Sequence, residues 1–443
     1  LNISEKNHQF SWLKATFVCT LAALFYLYEF SLQVAPSVMT NEIMHAFSVT
    51  AAGLGTLSAC FYFAYTPTQL VGGVLYDRFG PRVLLTIATA VCALGAIVFA
   101  SAHNIVFAAI GRSMIGFGSA FAFVGSLLLI SRWFPANHFA WLAGIVQLLS
   151  SVGAIAGQIP LAESVAKYGW QVSLYSLGCV GFVLAACIYL FVRNYPSYYK
   201  KEEHFEEHEK KKVTKVLYNR QTWLVALYSF AIWAPITIFA ALWGVPFLVT
   251  YYGISTSYAS TLMSIVWIGI GLGSPFIGWI SEHYGIRKLP LMGSAIIGLI
   301  ASLVALYVPI SIGMMLIAML GLGIAASGQS LAFGLVKDLN PPSRVGTAIG
   351  FNNMAVVAGG ALFQPLVGGL LNLFWNGQIV NNVPIYSLTA YKSSLFVMPI
   401  CYILCILALR FVQETNCRPS YPTLSEMNHD KKYSGPSISY SVN

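Results

Sequence analysis

The sequence predicts an all-α polytopic membrane protein with twelve transmembrane helices arranged as two pseudo-symmetric six-helix bundles. Three observations lead there. Charged residues make up only 9% of the chain and hydrophobic ones 57%, with a mean hydropathy of +0.71; an average soluble domain carries roughly 25% charged residues. Apolar stretches of about 20 residues, the length that crosses a bilayer core, recur along the chain. A charged, glycine-punctuated turn, Gly73-Val74-Leu75-Tyr76-Asp77-Arg78-Phe79-Gly80-Pro81-Arg82, returns in weaker form as Gly278-Trp279-Ile280-Ser281-Glu282-His283-Tyr284-Gly285-Ile286-Arg287.

In chain order the predicted spans are 12–36, 52–76, 83–101, 105–131, 138–161, 170–192, 222–250, 257–280, 289–307, 309–336, 345–371 and 390–413. Glycine and proline fall inside many of them, as membrane helices tolerate. Pro309 and a Ser-Ile-Gly step part spans 9 and 10. The expected organisation is a bundle over 1–192, a charged cytoplasmic linker over 193–221, a second bundle over 222–413 and a disordered cytoplasmic tail over 414–443. His204 and His208 in the linker have i,i+4 spacing, but their charged setting reads as a solvated run rather than a metal site.

The net charge of +9 is distributed as topology rather than as a nucleic-acid footprint. With the N-terminus in the cytoplasm, every Lys and Arg falls on the cytoplasmic side except Lys167 and Lys392, outside, and Arg112, inside a span. That is the positive-inside pattern, and it predicts cytoplasmic termini and a bacterial inner membrane. No cleavable signal peptide is apparent, because the first apolar stretch runs too long. The cysteines lie mostly within spans and lack zinc spacing, so they read as small hydrophobes.

The repeat extends beyond the charged turn. Asp77, Gly80 and Arg82 align with Glu282, Gly285 and Arg287 at an offset of 205 residues. Gly116, Gly118 and Ala120 align with Gly321, Gly323 and Ala325 at the same offset, and Arg132 with Lys337. After one inserted residue, Pro135, Gly144 and Gln147 match Pro341, Gly350 and Asn353. Parallel repeats of this kind build transporters.

The sequence Gly73-x-Leu75-x-Asp77-Arg78-x-Gly80-x-Arg82 resembles the loop signature of the major facilitator superfamily, and Arg112-x3-Gly116-x-Gly118-x-Ala120 resembles its fourth-helix signature. The resemblance covers residues 12–413. The stretch Tyr62 to Gln69 looks like bacterial organic-anion symporters, and Glu29-Phe30-x4-Ala35-Pro36-Ser37-Val38-Met39 looks like relatives of lysosomal dipeptide carriers. The Gly-Pro signature of the family's antiporters is missing from span 5, which favours uptake or symport over drug export. The resemblance implies a gating role for Gly73, Asp77, Arg78, Gly80 and Arg82, with Asp77 latching the outward-facing form; Glu282, Gly285 and Arg287 are the weaker counterparts. Without the resemblance, Arg78 and Arg82 need only fix topology.

Glu29 is the only carboxylate within any predicted span and Arg112 the only similarly embedded cation. Charge at membrane depth is expensive and marks function. Both lie at matching depth, so an ion pair is expected if their faces meet, with Glu29 as the proton-coupling group and Arg112 as substrate ligand or brace. Tyr26, Glu29 and Gln33 share one face of span 1. Gln147, Tyr228, Trp233, Gln329 and Asn353 are the further substrate-binding candidates; Gln147 and Asn353 stand at matching repeat positions. The glycine clusters near Gly271 and Gly323 follow no strand and read as helix packing, not nucleotide loops.

These residues point to a secondary transporter of a small polar organic solute, coupled to protons, monomeric, and needing no cofactor or metal. A Glu29–Arg112 pair suits an amino acid or short peptide. Arg112 alone, beside a protonated Glu29, suits an organic anion; siderophore transport and export are further alternatives. No catalytic constellation is visible, so an enzyme is not expected. A nutrient sensor on a transporter fold is the non-transport alternative.

Overall fold

Span 1 runs as an α-helix from Trp12 to Val34 and tightens into a 3-10 turn over Ala35–Val38, because Pro36 has no amide hydrogen to continue the α pattern. A short helix, Thr40–Phe47, then bends by 107° into Ala51–Gln69. From Ala51 to Ala100 one helical stretch serves spans 2 and 3, broken only at Gly80, whose φ of 74° and ψ of 159° are open to glycine but strained for other residues. The structure is a computed structural model that describes residues 12–135, 138–196, 218–341, 344–380 and 383–418, though not the side chains of Leu70, Val74, Asp77, Phe139 and Ala140. His204 and His208, most of the expected linker and tail, and the Asp77 carboxylate lie outside the described residues.

Several spans are jointed. Span 4 consists of Ile105–Ser119 and Ala122–Trp133; its start is capped by Asn104, which accepts the Val106 and Phe107 amides at 3.0 and 3.1 Å. Span 10 breaks at the corresponding place, between Ile312–Ala326 and Gly328–Asp338. Span 5 breaks at Gly157-Gln158, between Phe139–Ala156 and Ile159–Tyr168. Span 7 passes from Arg220–Pro235 through a π-helical segment, Ile236–Trp243, to Gly244–Tyr252. Spans 6, 8, 9 and 11 are Trp170–Phe191, Thr256–Tyr284, Lys288–Tyr307 and Val345–Leu373. Span 12 joins Leu388–Ser394 to Val397–Phe411. Among the described residues, eleven helices are long and apolar enough to cross a membrane, or up to 12 when the bent pair is taken as one span. Ile379–Val380 pairs with Val383–Pro384 as a small antiparallel ribbon that the sequence did not signal.

The signature glycines are packing sites. A Cβ on Gly116 would strike the backbone of Phe61 in span 2, and one on Gly118 the backbone of Ala88 and Sγ of Cys92 in span 3. In the second half, Gly323 meets Val266 of span 8 and Gly321 meets Ala301 of span 9. The same pairs of spans therefore close on glycine in both halves, with the order of the two glycines exchanged.

Cross-half hydrogen bonds gather at the end away from the charged turns. Asn372 Nδ2 donates to Thr50 Oγ1 at 2.7 Å, and the Ala51 amide donates to Tyr386 Oη at 2.9 Å. Nearby, Gly368 lies against the Ala51 backbone and Gly55 against the Gln364 backbone. Spans 2 and 11 are sealed together at this end.

Candidate functional site

Between the halves lies a cavity lined by Tyr26, Glu29, Phe30 and Gln33 of span 1, Tyr65 of span 2, Phe123 of span 4 and Gln147 of span 5. The second half contributes Trp233 of span 7, Gln329 and Phe333 of span 10, and Asn353, Val356 and Val357 of span 11. Its unfilled space, open mouth included, is about 470 Å³. The structure brings together the expected face Tyr26, Glu29 and Gln33 with the expected Gln147, Trp233, Gln329 and Asn353. Sequence reasoning passed over Tyr65, Phe123 and Phe333. Tyr65 had a signal, since it lies in the Tyr62 to Gln69 stretch; Phe123 follows the break in span 4, which no pattern announced.

Glu29 is 1% exposed, lies beside Ser119, and its Oε2 has no hydrogen-bond partner among the described residues. Gln33 donates to Tyr62 Oη at 3.0 Å. Gln147 donates to Ser150 Oγ at 3.2 Å, and Ser150 in turn faces Tyr26. Tyr26 packs between Phe30, edge-on with ring centroids 5.1 Å apart, and Phe123, tilted at 5.3 Å. Tyr65 faces Gln69 and Asn353, which places an interaction between the halves at the cavity wall. The result is a chamber of amides, phenols and aromatic faces with one carboxylate.

Arg112 is not among the residues lining the chamber, and the expected pair with Glu29 does not form. Its Nη1 donates to the Leu32 carbonyl at 3.0 Å, its Nη2 to the Ser58 carbonyl at 3.4 Å, and its guanidinium lies 5.2 Å over the Phe61 ring. The reason is local: Pro36 supplies no amide hydrogen to Leu32, and the guanidinium takes that place. Matching depth was a sound inference from the sequence, but depth does not fix the face. Tyr228 also lies elsewhere, in the interior of the second half, donating to the Leu291 carbonyl at 3.0 Å.

The two charged turns share a positive-φ glycine and a capping side chain, although ψ is 159° at Gly80 and 32° at Gly285. Gly80 and Gly285 have φ of 74° and 64°. After Gly80, the Arg82 amide donates to Asn194 Oδ1 at 2.9 Å, and Arg82 Nε donates to the Tyr189 carbonyl at 2.9 Å. After Gly285, the Arg287 and Lys288 amides donate to the two oxygens of Glu414 at 2.9 and 2.7 Å. Asn194 and Glu414 each follow the last span of their own half, and each caps the start of span 3 or span 9. Arg287 also pairs with Asp338 at 3.0 Å. Arg78 lies over the neighbouring Phe79 ring, Gly73 has open space around its Cα, and Glu282 is exposed. These contacts lie within each half, so they brace each bundle rather than join the two. The turns were legible in the sequence; their partners Asn194, Asp338 and Glu414 lay too far along the chain to be paired by pattern.

Jointed spans around a central polar chamber, sealed at one end, are the structure of a membrane transporter. Residues 19–245 and 236–429 each match the family model described as Major Facilitator Superfamily, and the chain belongs to that family. The hexuronate transporter of Bacillus subtilis (strain 168) is 24% identical over 361 residues, covering 76% of this chain and 83% of the relative. The chloroplastic ascorbate transporter of Arabidopsis thaliana is 22% identical over 271 residues, covering 58% of this chain and 50% of the relative. A bacterial homolog of the human lysosomal transporter Spinster, in an inward-facing and unoccupied conformation, superposes with a TM-score of 0.73 at 16% identity, over 90% of this chain and 98% of that one.

Proposed function

We propose that the protein carries a small polyhydroxylated organic acid by alternating access, with Glu29 holding the coupling proton. The observation that carries this reading is the chamber lining. Gln147, Gln329 and Asn353 offer amides that both donate and accept, as a cargo rich in hydroxyls requires, while Trp233 and Phe123 offer apolar faces to its C–H groups. The likeness to transporters named for hexuronate and ascorbate supports the same class. An amino acid or peptide fits less well, because that expectation needed Arg112 and Glu29 to present opposite charges to one ligand.

A carboxylate cargo would meet Glu29, a like charge. Burying an ion without a partner is costly, so the acid enters with Glu29 protonated and cargo and proton travel together. By the positive-inside rule, the basic turns support a sealed end that faces away from the cytoplasm. A neutral polyhydroxylated cargo is the second reading, favoured by one observation: no Lys, Arg or His is among the described lining residues.

Counterflow into proteoliposomes tests both. The panel contains hexuronates, aldonates, ascorbate, neutral hexoses, amino acids and dipeptides. Exchange of hexuronates or aldonates is expected. Exchange restricted to hexoses selects the second reading, and exchange restricted to amino acids or peptides overturns both.

A further inference from the structure

Span 7 changes pitch beside the sealed end. In the π-helical segment Ile236–Trp243, the Gly244 amide bonds to the Phe239 carbonyl, five residues back. In an α-helix that amide would serve Ala240 instead. The Ala240 carbonyl therefore loses its α-helical donor, and the Nε2 of Gln158 donates to it at 2.7 Å. Gln158 belongs to the other half, sits at the break in span 5 and is fully buried. Its Oε1 accepts from Ser264 Oγ of span 8 at 3.5 Å. A second amide, Gln364, donates to the Thr237 carbonyl at 2.8 Å, but it shares a half with span 7. Gln158 is the amide that must leave when the halves part.

We propose that Gln158 is a positioning residue that couples closure of this end to the pitch of span 7. While Gln158 holds the Ala240 carbonyl, the π segment costs no buried hydrogen bond. When the halves separate, that carbonyl is left without a donor until the Gly244 amide returns to it. The return converts the segment to α-helix, which adds about 100° of rotation and about 1.5 Å of rise between its two arms. Trp233, which lines the chamber, stands on one arm, and Gly244–Tyr252 forms the other. Opening the end and reshaping the chamber wall thereby become one movement. Gly244 suits the switch, since a Cβ there would lie 2.6 Å from the Phe239 carbonyl oxygen.

The test uses the full chain in nanodiscs, with accessible cysteines replaced and spin labels at Lys167 and Tyr258, exposed ends of spans 5 and 8. Gln158→Leu should raise the population with a long interlabel distance roughly fivefold, the equilibrium equivalent of losing one buried hydrogen bond. Gln158→Glu should restore the short distance at low pH, where a protonated carboxyl donates to Ala240, and lose it as the pH rises through the raised value of a buried carboxyl. If Gln158→Leu does not fold, the pH series of Gln158→Glu carries the test. Distances unchanged in the leucine variant, or insensitive to pH in the glutamate variant, overturn the proposal.

Discussion

Arg112 donates from Nη1 to the carbonyl oxygen of Leu32 at 3.0 Å, and Leu32 is the residue whose α-helical donor would have been the missing amide hydrogen of Pro36. A fourth-helix signature residue thus caps a proline break in the first helix. The break is what turns the end of span 1 toward Ala35–Val38, one turn beyond the chamber residues Glu29 and Gln33.

That relationship has an energetic consequence. Arg112→Gln should lower stability by about 1.5–3 kcal/mol, the range for a hydrogen bond to a charged group. In a Pro36→Ala background, the restored amide at position 36 serves Leu32, so the same substitution should cost about 1 kcal/mol less. Thermal unfolding of the four proteins in detergent measures the difference. Equal losses in both backgrounds would show that Arg112 acts through another contact.

The chamber separates residues that sequence reasoning had grouped. Asn353→Ala and Gln329→Ala should weaken cargo binding at least tenfold, since each removes a polar group aimed at a desolvated ligand. Tyr228→Phe, which loses only the bond to Leu291, should leave affinity unchanged and cost about 1 kcal/mol of stability. Titration of the three variants with the best counterflow substrate checks this; a tenfold affinity loss in Tyr228→Phe would contradict the placement.

The two turns should respond differently to acid. Burial pushes the Glu414 carboxyl up, but the backbone amides of Arg287, Lys288, Asn416 and Thr415 outweigh it and hold the group below its ordinary value of 4.5. A carboxyl whose folded value is lowered stabilises fully above its unfolded value and loses that contribution as pH falls through the folded value. Melting curves should therefore separate wild type from Glu414→Gln near neutral pH and converge as the pH falls from 4.5 through the lowered folded value. Asn194, the neutral counterpart that caps span 3, should contribute about 1 kcal/mol with no such pH dependence; acid convergence for Asn194→Ala would contradict this.

The fold was legible because membrane helices leave a long, one-dimensional signal. Spans 9 and 10, parted in the sequence only by Pro309 and a Ser-Ile-Gly step, are separate helices ending at Tyr307 and starting at Ile312. The chamber was legible where polar residues repeat on a helix face, as Tyr26, Glu29 and Gln33 do, or across the duplication, as Gln147 and Asn353 do. Arg112 and Tyr228 were misplaced for a shared reason. Depth and polarity can be read from one helix, whereas orientation depends on which distant carbonyl, Leu32 or Leu291, the side chain reaches. The π segment of span 7 was equally silent, since its apolar sequence Ile236–Trp243 suits an α-helix as well.

Cargo-driven proton movement tests the central claim, that the chamber around Glu29 carries an organic acid and a proton together. Proteoliposomes holding an internal pH dye receive an external hexuronate. The unsubstituted protein should acidify the lumen as cargo enters, and Glu29→Gln should exchange cargo without acidification. Uptake with no pH change in the unsubstituted protein, or unaltered acidification by Glu29→Gln, would contradict it.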